Sequence, residues 1–306
     1  MILAFVLFII GLILLLKGAE VAVRGAEGLA FRMGVSATTI GLTVVAFGTS
    51  LPEFFVTTEA FYTGTYEIGL ANITGSNIAN IGLILALCVL LNPSITSSRH
   101  LRPRFLKDSL LMLAATLLYA VLSLRGLIDW ITGLAFLSLF FVILFFIRKN
   151  CHDDMTDPPA ETRYPLVKTV LGLGAVILGS HLLLTSAVDI AAILGIPEYV
   201  IGLSLVAIGT SLPELATSLI AAVKNSPAIS VGNIVGSNIF NILFILGINS
   251  LFTTVPIPGY TDTLVMTGFA AGIFGLYFGS RLQNRAWALV LLVSYVIFIA
   301  MVFGAW

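Results

Sequence analysis

A thirteen-residue segment occurs twice in this chain, and each copy places a proline and a glutamate inside a long apolar stretch. The first copy reads GLTVVAFGTSLPE and ends at Glu53, and the second reads GLSLVAIGTSLPE and ends at Glu214. Another pair of segments, LANITGSNIANIG (70–82) and VGNIVGSNIFNIL (231–243), recurs at the same offset of 161 residues. One offset shared by two motifs indicates an internal duplication. A carboxylate inside an apolar stretch is costly and usually functional.

The composition indicates a membrane protein. Hydrophobic residues make up 58% of the chain and charged residues only 10%, which is unlike a soluble domain. The formal net charge is zero, so no electrostatic feature favours nucleic acid. The two cysteines, Cys88 and Cys151, lie in an apolar span and a polar loop, and imply neither a disulfide framework nor a metal cluster.

A membrane span needs about 20 apolar residues, and ten such segments can be placed. We predict an all-α integral membrane protein with ten transmembrane helices arranged as two inverted-topology five-helix repeats. The repeats are predicted at 1–147 and 165–306, joined by a polar linker at 148–164. Five spans per repeat is an odd number, so the second repeat enters from the opposite side, as in many secondary transporters. The predicted spans are 2–23, 37–61, 68–92, 106–124, 127–147, 165–194, 198–222, 228–252, 261–279 and 286–304.

Basic residues predict the orientation of the chain in the cell membrane. With ten spans, loops on the side of the N-terminus carry one basic residue, Arg125, and the other side carries the remaining fourteen. The positive-inside rule then places both termini outside and the linker in the cytoplasm.

The first motif is expected to break its helix and to expose oxygen atoms. Pro52 and Pro213 cannot donate the usual helical hydrogen bond, and freed carbonyls must line a cavity or be buried in protein. Hard cations such as calcium take six to eight oxygen ligands of this kind. The expected oxygens are the carbonyls near Ala46 and Ala207, the hydroxyls of Thr49, Thr210, Ser50 and Ser211, and the carboxylates of Glu53 and Glu214.

The second motif predicts a polar stripe on one helix face, because its members recur at every fourth position. The stripe consists of Asn72, Ser76 and Asn80 in the first repeat and of Asn233, Ser237 and Asn241 in the second. Equivalent residues of inverted repeats tend to meet near the midplane, so Glu53 and Glu214 are expected to share one site with Asn80 and Asn241. Asn72 and Asn233 are equally compatible with helix packing, and Asn77 and Asn238, off the stripe, are compatible with either role.

Charge favours cations as the ligand. Neither motif contains a lysine or arginine, so a divalent cation, several monovalent cations or protons must neutralise the two glutamates. A single Ser-Leu-Pro or a single intramembrane glutamate is compatible with a simple kink or a structural role. Both recurring in register with a matched Asn/Ser stripe favour a binding site.

The residues GTSLPE with GSNIAN, and GTSLPE with GSNIFN, resemble the two alpha repeats of the cation/calcium antiporter superfamily. The length and the near absence of a large loop are similar to its minimal prokaryotic sodium/calcium exchanger branch. The resemblance implies that spans 1 and 6 form a sliding gate. It also implies that the transported ions bind Thr49, Ser50, Glu53, Thr210, Ser211 and Glu214, with Ser76, Ser237, Asn80, Asn241 and the carbonyls of Ala46 and Ala207.

This chain departs from some relatives, which carry an acid at one of the positions held here by Asn80 and Asn241. Two carboxylates fit one calcium ion, and the number of sodium ions exchanged stays open. The acidic Gly-Asn-x-x-Glu motif of the proton-coupled branch is absent here, which favours sodium coupling.

We therefore predict a secondary antiporter that exchanges calcium for sodium, without cofactor, nucleic acid or obligatory protein partner, in the lipid bilayer. A proton/calcium or other divalent cation antiporter is the alternative. A cation channel is less favoured, because two broken helices around a midplane site suit alternating access. An intramembrane enzyme is also disfavoured, because no nucleophile and base, histidine-rich metal motif or nucleotide loop accompanies the glutamates.

Overall fold

The computed structural model describes residues 2–98, 101–149, 163–194 and 209–304. These residues are almost entirely helical, with three π-helical turns (Gly41–Val45, Asn80–Leu85 and Phe240–Ile245) inside longer helices. The helices are α1 (Ile2–Met33), α2 (Ala37–Ile40), α3 (Ala46–Thr49), α4 (Leu51–Tyr62), α5 (Tyr66–Ala79), α6 (Ala86–Leu91), α7 (Ser94–Ser97), α8 (Leu101–Ser123), α9 (Trp130–Lys149), α10 (Pro165–Ile193), α11 (Leu212–Val223), α12 (Pro227–Ile239), α13 (Leu246–Ser250), α14 (Thr261–Gly272), α15 (Gly275–Phe278) and α16 (Arg281–Gly304). The strands are β1 (Leu127–Ile128) and β2 (Val255–Pro256).

Among the described residues, seven helices are long and apolar enough to cross a membrane, and the bent α2–α4 segment makes an eighth. The seven are α1, α5–α6, α8, α9, α10, α12–α13 and α16. The membrane-spanning, helical prediction is therefore confirmed. The count of ten stays a prediction, since the span at 198–222 begins at residues outside the described ranges. Most of the predicted linker, 150–162, also lies outside them. The span predicted at 261–279 is not one helix but two shorter ones, α14 and α15, separated at Ile273 and Phe274.

The first GTSLPE motif breaks its helix as expected. The axes of the helices on either side of Ser50 differ by 47°. Ser50 has φ −86° and ψ 8°, and Pro52 occupies the first turn of α4, where a missing N–H costs little. Ser211 has nearly the same conformation, φ −86° and ψ 5°, with Pro213 in the first turn of α11. The duplicated sequence therefore folds to the same local geometry in both repeats.

The core of the fold is formed by the two helices that carry the GSN motifs. In an apolar stretch of 18 residues within Tyr66–Leu91 and within Pro227–Ser250, 78% and 89% of the residues are buried, against 17–39% in the equivalent stretches of the other long helices. Each contains a π-helical turn at the last asparagine of the motif. The first turn begins at Asn80, and the second begins at Phe240, one residue before Asn241. Such turns are frequent at functional sites. A large apolar cluster packs around these two helices, with Ile73, Ile78, Ile234 and Ile242 fully buried.

Glycines bring α1 and α10 into backbone contact. A Cβ on Gly11 would lie 2.6 Å from the Leu183 backbone nitrogen, and one on Gly25 would lie 2.5 Å from that of Thr169, so the two helices run antiparallel. The positions 11, 18 and 25, like 172 and 179, are seven residues apart, a spacing that keeps them on one helix face. These glycines thus hold α1 and α10 together. Gly174, which also lies on α10, does not take part in this contact: it is exposed, and a Cβ there would have no neighbour within 4 Å among the described residues.

A short connection corrects one predicted boundary. The span predicted to start at residue 127 starts at Trp130, because Leu127 and Ile128 pair antiparallel with Pro256 and Val255. Asp129 then caps α9 by accepting from the Thr132 amide at 3.0 Å. The Arg125 guanidinium, with the bonds from Thr132, lowers the pKa of the Asp129 carboxyl below its usual value.

Candidate cation site

Glu53 lies in the first turn of α4, immediately after the bend, and its side chain is fully buried. The Ser76 hydroxyl of α5 donates to Glu53 Oε1 at 3.5 Å. The Asn72 side chain donates to the Glu53 backbone carbonyl at 3.2 Å and to Thr57 Oγ1 at 2.9 Å. The amino-terminal end of a helix carries partial positive charge, which favours a carboxylate at this position.

Glu214 has the same position in α11 and is joined to both repeats. Its Oε1 accepts from Ser50 at 2.9 Å and from Ser237 at 3.4 Å. Ser50 belongs to the first repeat and Ser237 to the second, so the two copies of GTSLPE meet through a direct hydrogen bond. Ser50, which bonds Glu214, lies three residues before Glu53 in the chain. The predicted proximity of the two glutamates is thus present in the structure.

The threonines of each GTSLPE motif reach the polar stripe of the other repeat. Thr49 donates to Asn233 Oδ1 at 3.1 Å, and Thr210 donates to Asn72 Oδ1 at 3.3 Å. Ser211 donates to Ser76 Oγ at 3.3 Å. These bonds cross the boundary between the repeats in both directions, so Asn72 and Asn233 pack the helices and at the same time order the threonines beside the glutamates.

Four buried oxygens in this network have no hydrogen-bond donor among the described residues. They are Oε2 of Glu53, Oε2 of Glu214, Oδ1 of Asn80 and Oδ1 of Asn241. A buried polar atom without a partner is rare and costs about 1–3 kcal/mol, and more when the group is charged. All four are acceptors, and a bound cation satisfies acceptors without any donor. Carboxylate and amide oxygens are ligands that calcium prefers.

The electrostatics of the site also favour a cation. Among the described residues, neither glutamate forms an ion pair with a lysine, arginine or histidine; the ion pairs there involve other acids (Glu20, Asp108 and Asp129). Nor do the described residues contain a group of three or more His, Cys, Asp or Glu side chains that could hold a metal ion. The site therefore has two formal negative charges surrounded by neutral oxygens, a set that suits a hard cation better than zinc or copper.

One expectation from the sequence changes with the structure. The Ala46 carbonyl was expected to be freed by the helix break, which is wrong: it accepts from the Ser50 amide at 3.0 Å and from the Thr49 hydroxyl at 3.4 Å. The bend is absorbed by Ser50, so the preceding turn stays hydrogen-bonded. Its counterpart Ala207 lies outside the described residues. Ion binding by Ala46 and the other predicted ligands stays a prediction.

Sequence reasoning left several residues of the network without a role. Thr57 and Ser218 lie one turn after the two glutamates, and their hydroxyls accept from Asn72 and Asn233, both at 2.9 Å. The signal available in the sequence was a hydroxyl residue at equivalent positions of both repeats. Asn77 and Asn238 are the other members that reasoning from the stripe did not assign, and they contact each other across the repeats.

Comparisons with known proteins agree with this geometry. Residues 3–149 and 164–304, nearly the whole chain, match the family described as sodium/calcium exchanger protein. The chain belongs to the sodium/calcium exchanger family. Among its relatives are the membrane protein MJ0091 of Methanocaldococcus jannaschii, 37% identical with 96% of each chain covered, and the sodium/calcium exchanger MaX1 of Methanosarcina acetivorans, 29% identical with 98% of each chain covered.

This exchanger also has the fold of a solved one. The structure of the sodium-calcium exchanger NCX_Mj soaked with sodium and calcium superposes with a TM-score of 0.86 at 36% identity, covering 98% of each chain. The resemblance to the minimal prokaryotic exchangers is therefore confirmed over the whole chain.

Proposed function

We propose that this exchanger is a secondary active antiporter that moves calcium in exchange for sodium by alternating access, with the ions bound between Glu53 and Glu214. The observation that carries the proposal is the set of four buried acceptor oxygens without donors, two of them on these glutamates. The relative MaX1 is named a sodium/calcium exchanger, and NCX_Mj was soaked with both ions, which supports the same pair of ions here.

The charge of the site supports an obligatory exchange. Two carboxylates that face a low-dielectric interior without a counter-charge repel each other, and moving them uncompensated through the apolar barrier is costly. One calcium ion neutralises both charges. Sodium ions reduce the same charge, so binding of either ion allows the transporter to change between its outward-facing and inward-facing states. Without a bound ion, the uncompensated carboxylates prevent this change.

The proposed ligand set combines the two carboxylates with neighbouring neutral oxygens. In the structure the hydroxyls of Ser50, Ser76 and Ser237 already bond the glutamates, and those of Thr49 and Thr210 bond the polar stripe. The full set proposed is Glu53, Glu214, Thr49, Thr210, Ser50, Ser211, Ser76, Ser237, Asn80, Asn241 and the backbone carbonyls of Ala46 and Ala207.

The proposed architecture has ten spans in two inverted repeats, 1–147 and 165–306, with both termini outside and the linker 148–164 in the cytoplasm. The matching conformations at Ser50 and Ser211 support the repeat, and the antiparallel packing of the equivalent helices α1 and α10 supports its inversion. The glycine contacts between α1 and α10 support a gate in which these two helices move as one unit.

A sodium gradient test separates this function from its alternatives. Purified protein in liposomes loaded with sodium is supplied with radioactive calcium outside, and parallel vesicles carry only a proton gradient. We expect uptake that depends on the sodium gradient. Uptake driven only by protons would identify proton/calcium antiport, and uptake without any counter-ion would identify a channel.

Glu53→Gln and Glu214→Gln test the assignment of the site, with Glu59→Gln as the matched control. Glu59 lies on α4, as Glu53 does, but is exposed. The relevant ion pair is formed by a glutamate carboxylate and the bound calcium ion. Removing one partner of a buried ion pair costs about 3–5 kcal/mol, which corresponds to a loss of roughly 100- to 4,000-fold in calcium affinity. We expect both site variants to lose sodium-driven uptake and the control to keep it. Near-normal uptake by either folded site variant contradicts the assignment.

A further inference from the structure

Asn77 and Asn238 form a reciprocal pair where the two GSN motifs cross. The Asn77 side chain donates to the Asn238 backbone carbonyl at 3.3 Å, and the Asn238 side chain donates to the Asn77 backbone carbonyl at 3.5 Å. Both residues are only 1% exposed. They are equivalent positions of the two repeats, so each repeat contributes the same contact to the other.

Each member of this pair holds a stripe asparagine of the opposite repeat. Asn80 Nδ2 donates to Asn238 Oδ1 at 2.9 Å, and Asn241 Nδ2 donates to Asn77 Oδ1 at 3.0 Å. With their NH2 groups engaged in this way, Asn80 and Asn241 direct their Oδ1 atoms elsewhere, and these oxygens have no donor among the described residues.

The orientation of the four side-chain amides (Asn77, Asn238, Asn80 and Asn241), meaning which way the NH2 group and the oxygen face, is fixed by the backbone. A backbone carbonyl can only accept, so Asn77 and Asn238 must turn their NH2 groups toward each other's main chain. Their Oδ1 atoms then lie on the other branch of each amide and can only accept. The stripe asparagines must in turn present NH2 groups to those oxygens. The orientation is thus transmitted from the main chain to the stripe, and Asn238 is further held by a contact from its Nδ2 to Met112 Sδ at 3.3 Å.

We propose that Asn77 and Asn238 are positioning residues that make Asn80 and Asn241 present oxygens, and not N–H groups, to the transported cation. This inference rests on the proposed function. A side-chain amide that turns over exchanges an acceptor for a donor, and a donor facing a cation is repulsive. Without the pair, the two neutral members of the site lose their fixed polarity while the glutamates stay in place.

A packing role and a polarity role make different predictions when the stripe residue becomes an aspartate. A carboxylate has two equivalent oxygens and presents an oxygen to the cation whichever way it turns, so an aspartate does not need a neighbour to orient it. We expect Asn77→Leu to lower calcium affinity about 10- to 100-fold, the usual cost of losing a partner that orients a metal ligand. In an Asn241→Asp background the same substitution should lower the affinity less than about threefold, because a carboxylate needs no orientation and the substitution also removes the Asn77 oxygen that would face it.

The experiment is a double-mutant cycle of Asn77→Leu and Asn241→Asp, measured as radioactive calcium binding to purified protein whose folded fraction is determined in parallel. A second cycle, Asn238→Leu with Asn80→Asp, tests the equivalent pair and serves if a member of the first does not fold. Asn284→Leu is the matched control: Asn284 is fully buried and donates to Thr96 Oγ1 at 2.7 Å, on α16 against α7. Its substitution should lower stability and leave calcium affinity unchanged.

A loss of affinity that is large with asparagine and small with aspartate at the stripe position supports the inference. An equal loss in both backgrounds, or no loss, overturns it, because a packing role does not depend on the symmetry of the stripe side chain. Failure of the wild-type protein to bind calcium refutes the proposed function itself, and is distinguished from both by the first measurement of the cycle.

Discussion

Replacing Gly172 by alanine places a methyl group directly between α1 and α10. A Cβ at this position would lie 2.4 Å from the Ala22 backbone nitrogen, 2.7 Å from its Cα and 2.9 Å from its Cβ. Ordinary contacts of a Cβ begin near 3.4 Å, so the two helices must separate by roughly 1 Å at this point. The obstructing atoms are mostly main chain, and no change of rotamer can relieve the overlap.

The expected cost follows from this separation. A gap of about 0.5–1 Å forfeits a quarter to a half of the dispersion energy between the surfaces concerned, and overpacking of this kind usually costs about 1–3 kcal/mol. The substitution also gains roughly 1 kcal/mol, because alanine is a better helix former than glycine. Gly174→Ala has the same gain without the overlap, since Gly174 is exposed and has no neighbouring atom within 4 Å among the described residues.

The difference between the two variants therefore isolates the helix contact. We expect Gly172→Ala to be less stable than Gly174→Ala by about 1–3 kcal/mol, measured as denaturant or thermal unfolding of purified protein in detergent. Calcium affinity of the folded fraction should be unchanged, because the proposed ligands lie outside α1 and α10. Equal stability of the two variants refutes the close packing, and a loss of calcium affinity in the folded fraction refutes the separation of gate and site.

Two ion pairs give contrasting predictions. Arg104 and Asp108 on α8 are both buried, 3.1 Å apart, and Arg104 also donates to Thr39 at 2.9 Å. We expect Arg104→Met to lower the free energy of unfolding by about 3–5 kcal/mol, because it leaves the Asp108 charge buried without this partner. The double variant Arg104→Met with Asp108→Asn should recover part of that loss. A double variant no more stable than the single one contradicts this. The ion pair of Lys224 with Glu20, 3.2 Å apart, is more open to solvent, with side chains 47% and 20% exposed. We expect Lys224→Met to leave the midpoint of unfolding unchanged within error, because solvent screens the pair. A clear fall in that midpoint contradicts the screening.

The sequence allowed the site to be placed because the repeat and the helix period constrain the same residues. The common offset of 161 residues made Glu53 and Glu214 equivalent, and in an inverted repeat equivalent residues near the axis lie together. The four-residue spacing then placed Ser76 and Ser237 toward the glutamates, where the structure has them. Both inferences use regularities of the chain that hold over many residues.

The parts that escaped prediction depend on single hydrogen bonds. Helix periodicity places Asn77 and Asn238 off the stripe, and it contains no information on which atom of an amide faces which neighbour. The Ala46 carbonyl stays bonded because the chain bends at one residue, Ser50, instead of unwinding over a turn. The start of α9 depends on the pairing of β1 with β2, in which Leu127 faces Pro256 and Ile128 faces Val255, residues that are far apart in the sequence.

The two repeats share a fold but do not have the same surroundings, and this difference bears on the proposed mechanism. Ala216 and Thr217 of α11 are buried, with Ala216 packed against Leu15 and Ala19 of α1. Their counterparts on α4, Phe55 and Val56, are 64% and 37% exposed. One end of the α1–α10 pair therefore covers α11, while the equivalent face of α4 is uncovered.

Alternating access requires a second state in which these surroundings are exchanged. Because α1 and α10 are joined by main-chain contacts at Gly11, Gly172 and Gly179, they can move as a single body without losing the surface between them. In the proposed mechanism, covering α4 would uncover α11, and the glutamates on these two helices would then be reached from the other side of the membrane. Residues Ala22 and Val23 of α1 also pack in one apolar cluster with Ile40 of α2 and Ile229 of α12, so the proposed movement must exchange these contacts as well as those on α11 and α4.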